Sequence, residues 1–104
     1  MTFLRQRQPA YRSEKWLAAV RSLENCVLCG AYGVQAAHVN RGKGMSQKTD
    51  DCLTAALCLS CHHQIDNGHS LSRDERRAEL DKAVVLTLQQ LAQRGLIDVK
   101  KVKP

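Results

Sequence analysis

Aromatic residues are scarce: one Trp, two Tyr and one Phe make up 4% of a 104-residue chain that is 43% hydrophobic. A core without large rings must be built from Leu, Val and Ala, and a chain of this length buries only a limited core, so an added staple is expected. Long apolar runs are missing too. No stretch approaches the roughly 18 residues that would cross a bilayer, and the opening MTFLRQRQPA carries no signal-peptide core, which makes the cytosol the expected location. Acidic residues are in deficit, with ten Asp and Glu against sixteen Lys and Arg, a net charge of +6. That balance fits a solvated basic surface and a polyanionic partner about equally well, because net charge governs association and not fold.

Cysteine, by contrast, is plentiful. Five of them, an odd number, fit a disulfide framework poorly in a compartment where thiols stay reduced. Two Cys-x-x-Cys pairs, Cys26 with Cys29 and Cys58 with Cys61, supply the four soft ligands that a tetrahedral zinc prefers. The segment between the pairs is longer than in the usual zinc ribbon and leaves room for a hairpin. Free buried thiols or a redox pair are the alternatives. Cys52 lies outside the pairing and reads as a buried apolar residue.

The chain reads as one domain over residues 1–104, without internal repeats or low-complexity tracts. Residues 1–12, with Arg5, Arg7 and Arg12, are expected to form a flexible basic arm. Ser13 is a plausible N-cap for a helix carrying Trp16, Leu17, Val20 and Leu23 at helical spacing. CVLCGAYG, residues 26–33, has the glycines that a tight metal-gripping turn needs. Short strands are predicted within 34–39 and 53–57, and a helix from about Cys58 to a stop at Asn67 and Gly68, which both tolerate left-handed backbone. Ser72 and Glu75 form a capping-box pattern ahead of Leu80, Val84, Leu88 and Leu91, a helical stripe that runs to Gly95. That stripe either packs on the Trp16 helix or makes a homodimer seam.

His62 and Asp66 stand four residues apart, a spacing that puts both on one helix face and suits a metal, while His63 points about 100° away. His38 falls in the first strand, where a hairpin would return it over the second helix. Taken singly, each of these histidines is more often structural.

Together the residues carry more. Cys26-x-x-Cys29, Ala-His at 37 and 38, a basic glycine loop, Asp51 and Cys58-x-x-Cys61-His62 follow one another in an order that resembles the zinc-supported HNH endonucleases. The small phage and prophage types, among them the recombination-enhancement nucleases, are the members most similar in pattern. The resemblance covers about residues 24–68, and its specificity lies in the combination. It implies a small α+β fold, a ββα-metal, treble-clef-like core with a structural zinc, flanked by an N-terminal helix and a long C-terminal helix. It implies further that His38 is the general base, that Asp51 orients it, and that His62 holds a catalytic divalent ion with Asp66 as a further ligand. Oxygen and imidazole ligands point to Mg²⁺, with Mn²⁺ as a substitute. The substrate would be nucleic acid, DNA in the first instance, left with 3′-hydroxyl and 5′-phosphate ends. Arg41, Lys43 and Lys48 on the glycine loop are candidate phosphate contacts.

Two departures from the family pattern stand out. Many members carry an Asp or His metal ligand where this chain has Ala37, and the family's central Asn is absent from its usual place, with Asn40 nearby. A catalytically inactive, zinc-stabilised module that binds nucleic acid or protein is therefore the alternative. A redox or zinc-sensing protein is a third reading.

Overall fold

A computed structural model describes residues 9–39 and 49–104, and all structural statements concern these. They form a small α+β unit: α1 (Glu14–Arg21), β1 (Gln35–His38), β2 (Thr54–Leu57), α2 (Leu59–Asn67) and α3 (Arg73–Gln93). The strands pair antiparallel, in a register that sets Gln35 opposite Leu57, Ala36 opposite Ala56, Ala37 opposite Ala55 and His38 opposite Thr54.

Four alanines at the centre of this hairpin explain how a chain poor in aromatics closes a core. Side chains alternate across a sheet, so Ala36 and Ala56 serve one face and Ala37, Ala55 and Leu57 the other. The first face joins Val20, Leu23 and Leu91, with Trp16 packed alongside. The second joins Ile65 of α2, Leu80, Ala83 and Val84 of α3, and the cysteines Cys26 and Cys58. Small side chains on both faces let helices approach closely, and every residue of β2 is buried.

β2 would be left with an open edge, which the fold covers. Ala56 turns its backbone groups away from β1: its N–H donates to Thr87 Oγ1 at 3.0 Å, and its carbonyl accepts from the Val27 N–H at 3.0 Å. Thr87 is fully buried in the middle of α3 and returns its own hydroxyl proton to the Ala83 carbonyl at 2.8 Å. A long helix is thereby fastened along a strand edge by one hydroxyl, so that Leu80 and Val84 reach one face of the hairpin and Leu91 the other.

The helix ends follow the sequence signals with one exception. Ser13 Oγ accepts from the Trp16 N–H at 3.0 Å, and the Ser72–Glu75 capping box is complete. Gly68, however, is not left-handed: it ends α2 with φ −65° and ψ 147°. Glycine is required there because a Cβ would collide with the Gln64 carbonyl oxygen. The leucine stripe of α3 faces inward, Leu80, Val84 and Leu91 being buried and Leu88 packed against them. Val85 is the one large hydrophobic that α3 exposes. No helix is long and apolar enough to cross a membrane.

The basic arm expected through residue 12 is tied down at its end. Tyr11 donates its N–H to Asp50 Oδ1 at 2.7 Å and accepts from the Asp51 N–H at 2.8 Å, and its ring meets Trp16 edge-on with centroids 6.1 Å apart.

Thr87→Val keeps the volume but leaves the Ala56 N–H without an acceptor. A loss of about 1–3 kcal/mol in urea denaturation is expected, although valine would otherwise suit so buried a position. An unchanged midpoint would show that the edge hydrogen bond is dispensable.

Candidate functional site

The two cysteine pairs arrive from different kinds of backbone. Cys26 and Cys29 lie in a tight turn closed by the Gly30 N–H on the Cys26 carbonyl at 2.8 Å and by the Cys26 N–H on the Ala31 carbonyl at 2.8 Å. Gly30 and Gly33 hold φ of +82° and +94°, the left-handed region that explains both glycines after the second thiol. Cys58 is the N-cap of α2, its sulfur accepting from the Cys61 N–H at 3.4 Å, so the second pair sits where helix amides and the helix dipole favour negative charge.

All four sulfurs lie within 4.8 Å of one another, and Cys29 Sγ is 3.6 Å from Cys58 Sγ. Zinc bound tetrahedrally at ~2.3 Å requires sulfur separations of ~3.8 Å, so the set fits a structural zinc with little movement. The thiols' acidities agree. Burial pushes Cys26 up, but the amides of Cys58, Cys29 and Leu28 outweigh it and bring the thiol down to about 6. Cys61 is pushed up, first by burial and then by its three sulfur neighbours. A cation among the sulfurs would favour the thiolate form that zinc ligation requires. Cys52, half-buried, stands outside the cluster.

His38 ends β1 and meets Asp51 from the turn before β2, its Nε2 lying 3.0 Å from Asp51 Oδ1. Asp51 is buried and bonded on several sides. Its carboxylate is 2% exposed, Oδ2 accepts from the Ser13 N–H at 2.7 Å, Arg12 Nη1 lies 3.4 Å from Oδ1, and its carbonyl accepts from Thr54 Oγ1. Its pKa is lowered, first by the His38 hydrogen bond and next by the Ser13 amide, with Arg12 assisting against burial. An ionised Asp51 can only accept, so Nε2 of His38 carries the proton and the lone pair of the neutral ring resides on Nδ1.

His62 and Asp66 share a face of α2 as their spacing requires, with Nε2 3.2 Å from Asp66 Oδ2. Nδ1 of His62 lies 2.7 Å from Gln35 Oε1 on β1. An imidazole nitrogen facing a carboxylate in this way is an arrangement in which the two could share a cation. His63 is exposed on the next face of the helix.

A cleft of about 220 Å³ opens between the end of β1, α2 and the start of α3, lined among others by His38, Ile65, Asp66, Arg73, Arg76 and Arg77. His38 and Asp66 are thus brought to one cleft, and His62 is connected to it through Asp66. Ala37 is 2% exposed and belongs to the core, so it offers no ligand. Arg41, Lys43, Lys48 and Asn40 lie outside the described residues. Among those described, the four cysteines are the one group of three or more His, Cys, Asp or Glu side chains placed to hold a metal. Gln35 and the α3 arginines carry no local signal that would mark them as site residues. Only the coming together of β1, α2 and α3 does so, although Gln35 does alternate with Ala36 on a strand adjoining the first cysteine turn.

Protein-family models, curated proteins and solved structures were all compared with the chain, and none matches it.

Elemental analysis is expected to find one zinc per chain, and chelation to abolish most of the helical circular dichroism, since structural zinc contributes on the order of 10 kcal/mol to such small domains. A fully folded, metal-free protein would contradict this. Asp51→Asn should cost about 1–3 kcal/mol and accelerate hydrogen exchange at the Ser13 amide. Because the folded Asp51 pKa is depressed, the carboxylate's advantage is complete at neutral pH and is lost as pH falls through the lowered value. An equal deficit of the variant at neutral and acid pH would contradict the assignment.

Proposed function

We propose that the chain is a zinc-stabilised, metal-dependent endonuclease of the HNH type that hydrolyses DNA phosphodiester bonds. The hairpin β1–β2 followed by α2 is read as its ββα-metal core. The observation that carries this reading is the His38–Asp51 pair at a cleft that also receives Asp66 and three arginines. An imidazole held by a buried carboxylate and bordering an arginine-rich cleft is suited to taking a proton from water beside a phosphate.

In the proposed reaction water attacks the phosphorus, its proton passes to His38 Nδ1, and the bond to the 3′ oxygen breaks, that oxygen taking a proton from solvent water, so that 3′-hydroxyl and 5′-phosphate ends remain. Asp51 keeps the ring in the tautomer with its lone pair on Nδ1 and stabilises the imidazolium that forms. A divalent ion such as Mg²⁺ would be held by His62 and Asp66, and when bound it supplies charge to the phosphate and to the leaving oxygen. Gln35 fixes the His62 ring so that Nε2 faces Asp66.

A second reading has its own observation. Ala37 is packed into the core where many HNH members carry a ligand, and two side chains grip Mg²⁺ less firmly than three. On that reading the same cleft binds nucleic acid without turnover.

Supercoiled plasmid and single-stranded DNA, incubated with Mg²⁺ or Mn²⁺, separate the two. His38→Ala is expected to slow cleavage by about 10²–10⁴-fold at unchanged zinc content and folding. Cleavage that persists in clean His38→Ala protein would overturn the base assignment, and binding by wild type without cleavage would favour the inactive module.

A further inference from the structure

α3 carries two kinds of residue on a single side. Positions 73, 76, 77, 80 and 84 follow helical spacing, and Leu80 and Val84 from this row are buried in the core. The row continues toward the N-terminus as arginine, so Arg73, Arg76 and Arg77 project over the hairpin side of the helix and line the cleft with His38 and Asp66. Asp66 is the one carboxylate in that lining, against three guanidinium groups. The floor is apolar, with Ile65 and Leu80 each 8% exposed, and apolar walls strengthen the field of the charges above them.

The three arginines divide their work. Arg76 Nη1 donates to the carbonyls of Gly68 at 2.9 Å and Leu71 at 3.2 Å, bracing the turn that joins α2 to α3. Arg73 lies one turn earlier and Arg77 directly follows the brace, so the charged rim of the cleft is set by a fixed strut.

We propose that this cleft is a phosphodiester-binding groove, in which Arg73 and Arg77 hold a backbone phosphate of DNA next to the phosphate that His38 addresses. The choice of substrate rests on the nuclease reading. The groove itself rests on the arginine row, its single opposing carboxylate and its apolar floor. Guanidinium forks match phosphate oxygens in pairs of hydrogen bonds, which fixes where the strand lies and conveys no base sequence.

The test is fluorescence anisotropy of a labelled DNA duplex, across a salt series and without added divalent ion, with every variant in a His38→Ala background. Arg76 is left intact to preserve the turn, and zinc content and thermal midpoint are matched. Arg73→Gln with Arg77→Gln should weaken binding about tenfold or more per arginine at fixed salt. The double change should also make the slope of log affinity against log salt shallower by about 0.9 for each phosphate no longer neutralised. Arg73→Gln alone, at an exposed position, should give the smaller share of the same two effects. Lys82→Gln with Arg94→Gln removes equal charge from exposed positions on and just after α3, outside the cleft lining, and should leave the slope nearly unchanged. An unaltered slope in the Arg73/Arg77 variant, an equal loss of affinity in the Lys82/Arg94 variant, or no DNA binding at all would overturn the groove. If binding depends on the arginines as stated but the chain with His38 cleaves no DNA, the groove stands and the nuclease reading falls.

Discussion

Four thiols held within 4.8 Å of one another are the constraint on which this molecule is arranged. Each is a poor neighbour to the others once ionised, and the turn amides and the start of α2 together stabilise only part of the charge that four thiolates would carry. A cation bound among them would reverse that repulsion and join two segments that are far apart in the chain. The turn at 26–29 precedes β1, and the pair at 58–61 follows β2. Fastening one to the other closes the hairpin from its open end and sets α2 at a defined angle to it. Cys26 and Cys58 also belong to the buried cluster under α3. The thiol cluster and the hydrophobic core are therefore contiguous, and a metal bound there would stabilise a domain whose core holds alanine where larger domains have rings.

From that clasp the candidate site follows by geometry. β1 follows the first cysteine turn and ends at His38. α2 leaves the second pair and presents His62 and Asp66 directly after Cys61. Gln35 at the near end of β1 ties the His62 ring across the gap. The far end of the hairpin is held separately, by residues 11–13 against Asp50 and Asp51. This second fastening shares its carboxylate with His38, so the orientation of that imidazole depends on the seating of the segment before α1. Secondary structure places the ring, and a strap from elsewhere in the chain fixes its tautomer.

The elements were legible in the sequence wherever local chemistry decides. Ser13 and Ser72 announce helix starts because an orphan N–H three residues later needs their oxygen. The glycines at 30 and 33 announce a turn that other residues would strain. The cysteine pairs announce a cluster of four thiols that could hold a metal, and the four-residue spacing of His62 and Asp66 survives intact as a contact. What could not be read is what depends on distance in sequence. Nothing local marks Thr87 as the partner of the Ala56 N–H, Gln35 as the partner of His62, or Asp51 as the acceptor for Ser13. Gly68 was legible as a stop but not in its reason, since the conflict with the Gln64 carbonyl exists only after α2 has formed. The arginines at the start of α3 have the pattern of an ordinary solvated first turn until Leu80 and Val84 fix which way that row points.

Ala37 brings the two demands on β1 into conflict. A ligand there would have to leave the core face, where Ala37 sits with Ala55 and Leu57 under Leu80 and Val84. A carboxylate at that position would be buried among apolar side chains, a heavy cost unless a cation neutralised it. The small side chain instead lets α3 lie close to the hairpin, and that closeness carries the arginine row over the cleft. With alanine on the strand and arginines on the helix above it, the cleft lining carries one carboxylate against three guanidinium groups. Such a balance disfavours a free metal ion and favours an anion, so a divalent ion would enter this cleft most favourably together with a phosphate that completes its shell.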